Sequence, residues 1–399
     1  MNQEFMRIGT DYFKEAYLPL HSGDKTKVLL KWNKGEIITD FGKDHLDIIP
    51  KYDGFCLIPS HTNHKQVIDG FLNQYHAVDH EPLPGELKVT TQFLKHFFGE
   101  QYELGLDYLT LLWQKPTQTL PILCLVSTER NTGKSTFLNW LKMVFQSNMT
   151  INNNEDFRSR FNADWAAKLI IAVDEVLLDK REDSERIKNL STAKSYKSES
   201  KGKDRVEIPF YGKFILCSNN EENFIYVDNE EIRYWVRKVP KLPKNGDNPD
   251  MLEALEKELP HFIHLLTNRK ISMKKTTRMW FTKEQIHTAA LDKLVKSNKT
   301  FIHKELEQIL LDEFDMFDQD VLKYSNADLV KKLSENNIRV SSSKVTEAIK
   351  IHMGLETTNS SYKKYYMSIL REAQKPFVET THHKGRHYTF TRESMENNS

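Results

Sequence analysis

The residues with the most chemical content lie between positions 127 and 237. STERNTGKST (127–136) ends in Gly133, Lys134 and Ser135, the close of the Gly-x4-Gly-Lys-Ser/Thr pattern that cradles phosphates. Thr128 occupies the first glycine position and must adopt a backbone conformation open to a side chain. Glu129 lies within the loop and Thr136 on the helix that follows. The backbone N–H groups of Arg130, Asn131, Thr132, Gly133, Lys134 and Ser135 are placed to wrap phosphates at a helix N-terminus. Lys134 is expected to reach the β- and γ-phosphates, and the Ser135 hydroxyl to ligate Mg²⁺. ATP and Mg²⁺ are therefore the expected cofactors.

Three further pieces fit the same chemistry. LIIAVDEV (169–176) is an apolar strand ending in two acids. Asp174 would hold Mg²⁺ directly or through water, and Glu175 would polarise the attacking water as general base. KFILCSNN (213–220) is a strand followed by asparagine. Asn219, or failing that Asn220, would set an amide against the γ-phosphate and the lytic water; asparagine also favours ordinary strand-ending turns. In NEEIRYWVRKVP (229–240), Arg233 is the first candidate for a guanidinium inserted into a neighbour's site, and Arg237 the second.

The elements that must position these groups can be read from periodicity. PILCLV (121–126), KLIIAV (168–173) and KFILCS (213–218) are short apolar runs suited to strands buried on both faces of a parallel sheet. Helical patterns fall at 134–146 and 183–193, and at 251–266 with a break at Pro260. The fold class expected is α/β, a P-loop ATPase core over 119–270. It is preceded by a helical segment (85–118) and a small β or irregular module (1–84) that carries VLLKW (28–32) and EIITDF (36–41). Residues 283–399 begin with helical patterns. Two helices opened by Asn or Ser caps follow (326–337 and 341–353), then two extended pieces, the outline of a winged helix. The final ESMENNS reads as a frayed tail.

The chain has 399 residues, enough for two or three domains. Three cysteines, far apart, exclude a disulfide framework and fit a reducing cytosolic compartment. No apolar run approaches 18 residues, so no membrane span is expected. A net charge of +1 argues against a uniformly basic nucleic-acid binder but leaves room for a local basic stripe.

Taken in order and at this spacing (Lys134 to Asn219 covers 85 positions), the four motifs resemble superfamily 3 helicases, nearest to the helicase half of phage and plasmid primase-helicases. The lead-in RIGTDYFK…LLKWNKGEIITDFG…IPKYDGFCLIPSH…FLNQYH looks like that of the same phage proteins. The resemblance covers most of the chain and is weakest after residue 290. It implies an AAA+ core, a homo-oligomeric ring (commonly a hexamer) and ATP-driven translocation on single-stranded or forked DNA in the bacterial host cytoplasm. Relatives often carry a polymerase-like primase upstream. The first 84 residues are too short for one and hold no acidic metal triad, so a separate primase or replication protein is the expected partner.

The family's hairpin, placed between the second and third motifs, should project into the ring channel. SYKSESKGKDRVEIPF (195–210) fits it. Lys194, Lys197, Lys201, Lys203 and Arg205 outnumber Glu199 and Asp204, and such lysines can follow phosphates without reading bases. In the C-terminal module, SSSKVTEAIKIHM would be the recognition helix, with Lys344 and Lys350 toward DNA. Two other functions fit the same residues: an AAA+ replication initiator or loader that hydrolyses ATP without processive unwinding, and a non-hydrolysing DNA-binding adaptor whose loop is degenerate at Thr128. Cys56, His61 and His64 lack a fourth ligand at zinc spacing. DEFDMFDQD (312–320) lacks the glycine of a calcium loop and reads as a solvated face or loop. Trp113, Trp140, Trp165 and Trp235 read as core, and Glu155 and Asp156 as loop.

Overall fold

In the computed structural model the residues described are 5–19, 25–159, 165–178, 181–198, 206–227, 231–242, 248–369 and 376–396. The chain is mixed α/β. Strands β1 (Phe5–Ile8), β2 (Asp11–Pro19) and β3 (Lys25–Trp32) form an antiparallel meander. Helices α1 (Lys34–Phe41) and α2 (His45–Ile48) follow, and β4 (Lys51–Tyr52) pairs parallel to β1. A small sheet of β5 (Phe55–Cys56), β6 (Val67–Ile68) and β7 (Phe71–Asn73) completes the N-terminal region. The EIITDF run, expected as extended, is helical in α1. The Asn33 side chain accepts the Gly35 N–H at 2.7 Å as N-cap, and Ile37 is fully buried against Phe5 and Ile49. A cap and one buried contact outweigh the β-preference of Ile-Ile-Thr.

Helices α3 (Lys88–Phe98) and α4 (Tyr102–Gln114) lead into the central sheet. Its elements in chain order are β8 (Ile122–Val126), α5 (Lys134–Phe145), β9 (Met149–Asn152), α6 (Asn154–Arg158), β10 (Ile170–Val173) and α7 (Arg181–Leu190). Next come the hairpin β11 (Ser195–Ser198) and β12 (Val206–Pro209), then β13 (Lys213–Ser218) and β14 (Tyr234–Lys238). The five sheet strands run in the order β14-β8-β13-β10-β9, every pair parallel. Alternation along each strand divides the core in two. Leu123, Leu125, Ile215, Cys217, Ile170 and Ala172 pack on one side against α3, α4, α5 and the later helices α8 (Met251–Lys257) and α9 (Leu259–Asn268). Ile122, Cys124, Val126, Ile171, Val173, Phe214 and Leu216 pack on the other, with Phe157 of α6 and Ile187 and Leu190 of α7. Both faces are covered, which is why these strands read as unbroken apolar runs. Trp113, Trp140, Trp165 and Trp235 are all core residues. Glu155 and Asp156, expected in a loop, lie in α6, where Asp156 closes a capping box with Asn153.

After α10 (Lys283–Ile286), the 29-residue α11 (Ala289–Phe317) joins two segments that read separately in sequence. The C-terminal unit adds β15 (Val321–Tyr324), α12 (Asn326–Glu335), α13 (Ser342–Ala348) and a π turn over Ile349–Met353. The long hairpin β16 (Thr358–Ile369) and β17 (Pro376–Thr391) and the short α14 (Arg392–Glu396) end it. Its sheet order is β15-β17-β16. Ser325, rather than Asn326, caps α12. The segment expected as a frayed tail is helical through Glu396, because Met395 is buried in the same core as Phe314 and Leu329. Among the described residues, no helix is long and apolar enough to cross a membrane.

One buried cluster gives the fold a pH signature. Lys213 begins β13 with its ammonium enclosed, donating to the carbonyls of Tyr211 (2.7 Å) and Pro116. Burial pushes it down to about 7. Nearby His61 stacks on Trp113 at 4.5 Å, with its ring nitrogens on Trp113 O and the Tyr75 hydroxyl, and burial brings it down to about 4. An unfolded chain holds these protons to about 10.4 and 6.5. Between the folded and unfolded values the unfolded state binds more protons, so stability rises with pH, first from about 4 to 6.5 and again from about 7 upward. Above about pH 9 the buried Cys124 and Cys217 thiols, both pushed up, act in the opposite sense. Denaturant titrations of Lys213→Met from pH 7 to 9 should show the slope of stability against pH reduced by up to about 1.4 kcal/mol per unit. An unchanged slope would show that Lys213 is charged in the folded protein.

Candidate active site

The parallel sheet brings the ends of β8, β10 and β13 to one edge. Ser127 N–H donates to Ser218 O (3.1 Å), and Val176 N–H to Cys217 O (2.7 Å), so the segments leaving the three strands are stitched side by side. The loop after β8 takes left-handed backbone at Asn131 (φ 57°) and Gly133 (φ 83°), and not at Thr128. The missing first glycine therefore costs no strain, whereas Gly133 carries a conformation that side chains resist. The loop is pinned from outside. His96 Nε2 lies 3.0 Å from Thr132 O, Leu242 N–H donates to Asn131 O (3.1 Å), and Glu129 N–H donates to the Ser127 hydroxyl (3.1 Å). The backbone N–H groups from Arg130 to Ser135 meet no acceptor among the described residues, the condition of a helix N-terminus open to an anion.

Lys134 is buried at the start of α5 and donates to the Thr132 hydroxyl at 3.1 Å. Burial lowers its pKa, while the nearby carboxylates of Asp174 and Glu221 pull the other way. The Ser135 hydroxyl donates to Asp174 Oδ2 at 3.0 Å. One hydroxyl and one carboxylate in contact form a donor set that suits Mg²⁺, which takes one or two protein oxygens and completes its shell with phosphate and water. Among the described residues, no group of three or more His, Cys, Asp or Glu could hold a metal alone.

Glu175 also has left-handed backbone (φ 53°), uncommon for a residue with a side chain. Its N–H donates to Asp174 Oδ1 (3.0 Å), and its carbonyl accepts from Asn154 Nδ2 (3.0 Å). Asn154 Oδ1 in turn accepts the Leu177 N–H (3.1 Å). Asn154, in α6, thus braces the peptide that presents the Glu175 side chain to solvent. Asn219 is exposed beyond β13, and no hydrogen bond ties its side chain to the described residues. Asn220, the second choice, is occupied: its Oδ1 accepts the N–H groups of Glu222 (2.8 Å) and Asn223 (2.9 Å).

The two arginines differ sharply. Arg237 is buried, paired with Glu100 at 2.6 Å and bonded to Gln101 (2.9 Å), so it is part of the packing between β14 and α3. Arg233 precedes β14 at the opposite end of the sheet. Its neighbour Tyr234 pairs with Ile122 at the start of β8, roughly 15 Å of strand from the phosphate loop. Glu231 grips its guanidinium through both oxygens (2.8 and 2.7 Å). Of the hairpin lysines, Lys194 and Lys197 are exposed on and beside β11, whose Tyr196 stacks on Trp165 at 5.6 Å. Lys201 and Lys203 lie outside the described residues. His61 and His64 are engaged with the chain itself, at Trp113 O and Tyr75 O.

The sequence reading missed Glu221. Its carboxylate is buried yet held ionised by Lys238 (3.0 Å) and Lys293 (3.1 Å), and it accepts the Thr128 N–H at 3.2 Å. It anchors the start of the β8–α5 loop at the position where glycine is absent, and ties that loop to β14 and α11. The sequence shows only an acid directly after Asn-Asn, and nothing in it reveals the burial.

A family model described as a family of unknown function, DUF5906, matches residues 125–237, the stretch from the end of β8 to Arg237. No curated protein matches. Among solved structures, the apo C-terminal region of NrS-1 (305–718) is similar over 94% of both chains, with a TM-score of 0.58 and 16% identity. A second form of that region gives 0.56 at 16% identity over 88% of this chain and 84% of that one. A third gives 0.57 at 16% identity over 93% of each. The chain shares the fold of that region nearly end to end.

Glu221→Gln should weaken binding of a fluorescent ATP analogue about tenfold while leaving the melting temperature within a few degrees, since both lysines can turn to water. Unchanged affinity would remove Glu221 from the site. Asn154→Ala should lower ATP turnover with little change in nucleotide affinity, and equal losses in both would show that Asn154 does more than orient Glu175.

Proposed function

We propose that this chain is an ATP-hydrolysing DNA helicase of phage or mobile-element replication, of the superfamily 3 type, with an AAA+ P-loop core and a C-terminal winged-helix-like unit. It would work as a homo-oligomeric ring, commonly six-membered, on single-stranded or forked DNA. The observation that carries this reading is the row of amides from Arg130 to Ser135, without acceptors among the described residues, set beside the Ser135–Asp174 contact. The strand order, with β8 between β13 and β14, supports it.

The amides of residues 130–135 and the Lys134 ammonium bind and orient the triphosphate. Ser135 and Asp174 would hold Mg²⁺, which draws charge from the β- and γ-phosphate oxygens. Glu175 accepts a proton from the attacking water, and Asn219 aligns that water by hydrogen bonding. Arg233 is one strand-length from its own loop, so in this reading it serves a neighbouring copy. Release from Glu231 frees it to neutralise charge developing on the transferred phosphoryl group. The exposed Lys194 and Lys197 sit at the base of the hairpin that would follow DNA phosphates.

Purified protein should release phosphate in the presence of single-stranded DNA, and Lys134→Ala should reduce this at least about 100-fold. ATP binding without phosphate release would favour the adaptor reading. Turnover without strand release from a forked duplex would favour an initiator or loader. Glu175→Gln and Arg233→Ala should each be inactive alone and partly active when mixed, because a mixed interface rebuilds one complete site. No recovery on mixing, together with full activity of Arg233→Ala, would exclude the intersubunit role. Arg237→Ala should instead lower the melting temperature by several degrees.

A further inference from the structure

The sequence placed the C-terminal DNA contact on α13. On that helix the half-buried Lys344 is engaged within the chain: its ammonium lies over the Tyr226 ring, 5.9 Å from its centroid. Lys350 is exposed on the π turn beyond it. The cationic residues that face solvent in a row are on the β16–β17 ribbon instead. The register sets Arg386 opposite Asn359, Lys384 opposite Ser361 and Lys363 opposite His382. Directly opposed residues share a side of the ribbon, and so do residues two apart, so these three pairs form consecutive rungs on one side. Rungs are spaced by roughly 7 Å. All six side chains are exposed, and Lys363, Lys384 and Arg386 form no ion pair with any described carboxylate. The nearby acid Glu379 is on the other side, bonded to Tyr366, and Lys364, also on that side, is neutralised by Asp328 at 2.6 Å.

We propose that this side of the ribbon binds the phosphodiester backbone of nucleic acid through Lys363, Lys384 and Arg386. Asn359 and Ser361 add hydrogen bonds from the intervening positions. Cations at regular spacing with polar, uncharged partners and no acid suit a linear polyanion, and they carry no groups arranged to read bases. The contact is separate from the ATP site and does not depend on hydrolysis.

The test is fluorescence anisotropy with the full chain, on a short single-stranded oligonucleotide and on its duplex, across a range of salt. Lys363→Gln/Lys384→Gln/Arg386→Gln should weaken binding about 10- to 100-fold on whichever form the ribbon holds, and should flatten the log–log salt slope by about 2 to 3. Phosphate release without DNA should stay at the wild-type rate. Ser361→Glu guards against a folding artefact, because a glutamate opposite Lys384 adds a cross-strand ion pair and should stabilise the ribbon while weakening DNA binding. Unchanged affinity and slope on both DNA forms in both variants would overturn the proposal, whatever the same variants do to an acidic peptide probe. Loss of DNA binding with Lys134→Ala left DNA-competent would separate this contact from the ATPase reading.

Discussion

Parallel pairing of β8 between β13 and β14 is the constraint on which the rest depends. Parallel strands end on the same edge, so residues 126, 173 and 218, far apart in the chain, are brought to one line. Every reactive group of the candidate site leaves from that line. The same rule sends Arg233 to the opposite edge, since it precedes its strand rather than following it. One topological choice therefore decides which residues can meet at one edge of the sheet and which are held apart at the other.

The loop itself is held by residues outside it. A phosphate loop with full glycine content can be soft. Here His96, Leu242 and Glu221 each fasten a different point, and the left-handed Asn131 and Gly133 lie at or next to two of the fastenings. A binding surface made of backbone amides gains from such bracing, because preorganised donors need no reordering when charge arrives. Glu221 remains ionised although buried, because two ammonium groups and an amide offset its desolvation.

What was legible in the sequence is what local pattern controls. Strands β8, β10 and β13 announce themselves as apolar runs, and the loop and acids follow from their ends. The supports were not legible. Asn154 and Glu221 look like ordinary polar residues, and their roles come from partners 21 and 93 positions away. The α1 segment reads as extended because β-branched residues cluster there, while the deciding facts are the Asn33 cap and the burial of Ile37. The terminal helix was missed because a single buried methionine holds it. Helix α13, expected from the sequence as a recognition helix, was legible as a helix. Its orientation was not, because the Tyr226 that meets Lys344 lies more than a hundred positions upstream.

The length of α11 has a mechanical consequence. Its 29 residues make a rod of roughly 43 Å, with Leu291 and Leu294 seated in the central core and Leu310, Phe314 and Phe317 in the C-terminal one. Lys293, in its first turns, touches the carboxylate that anchors the phosphate loop. A tilt of about 5° at that end sweeps the far end through about 4 Å on a helix of this rise. A small reorientation at the loop end is thus carried, enlarged, to the C-terminal core at the other end of the rod.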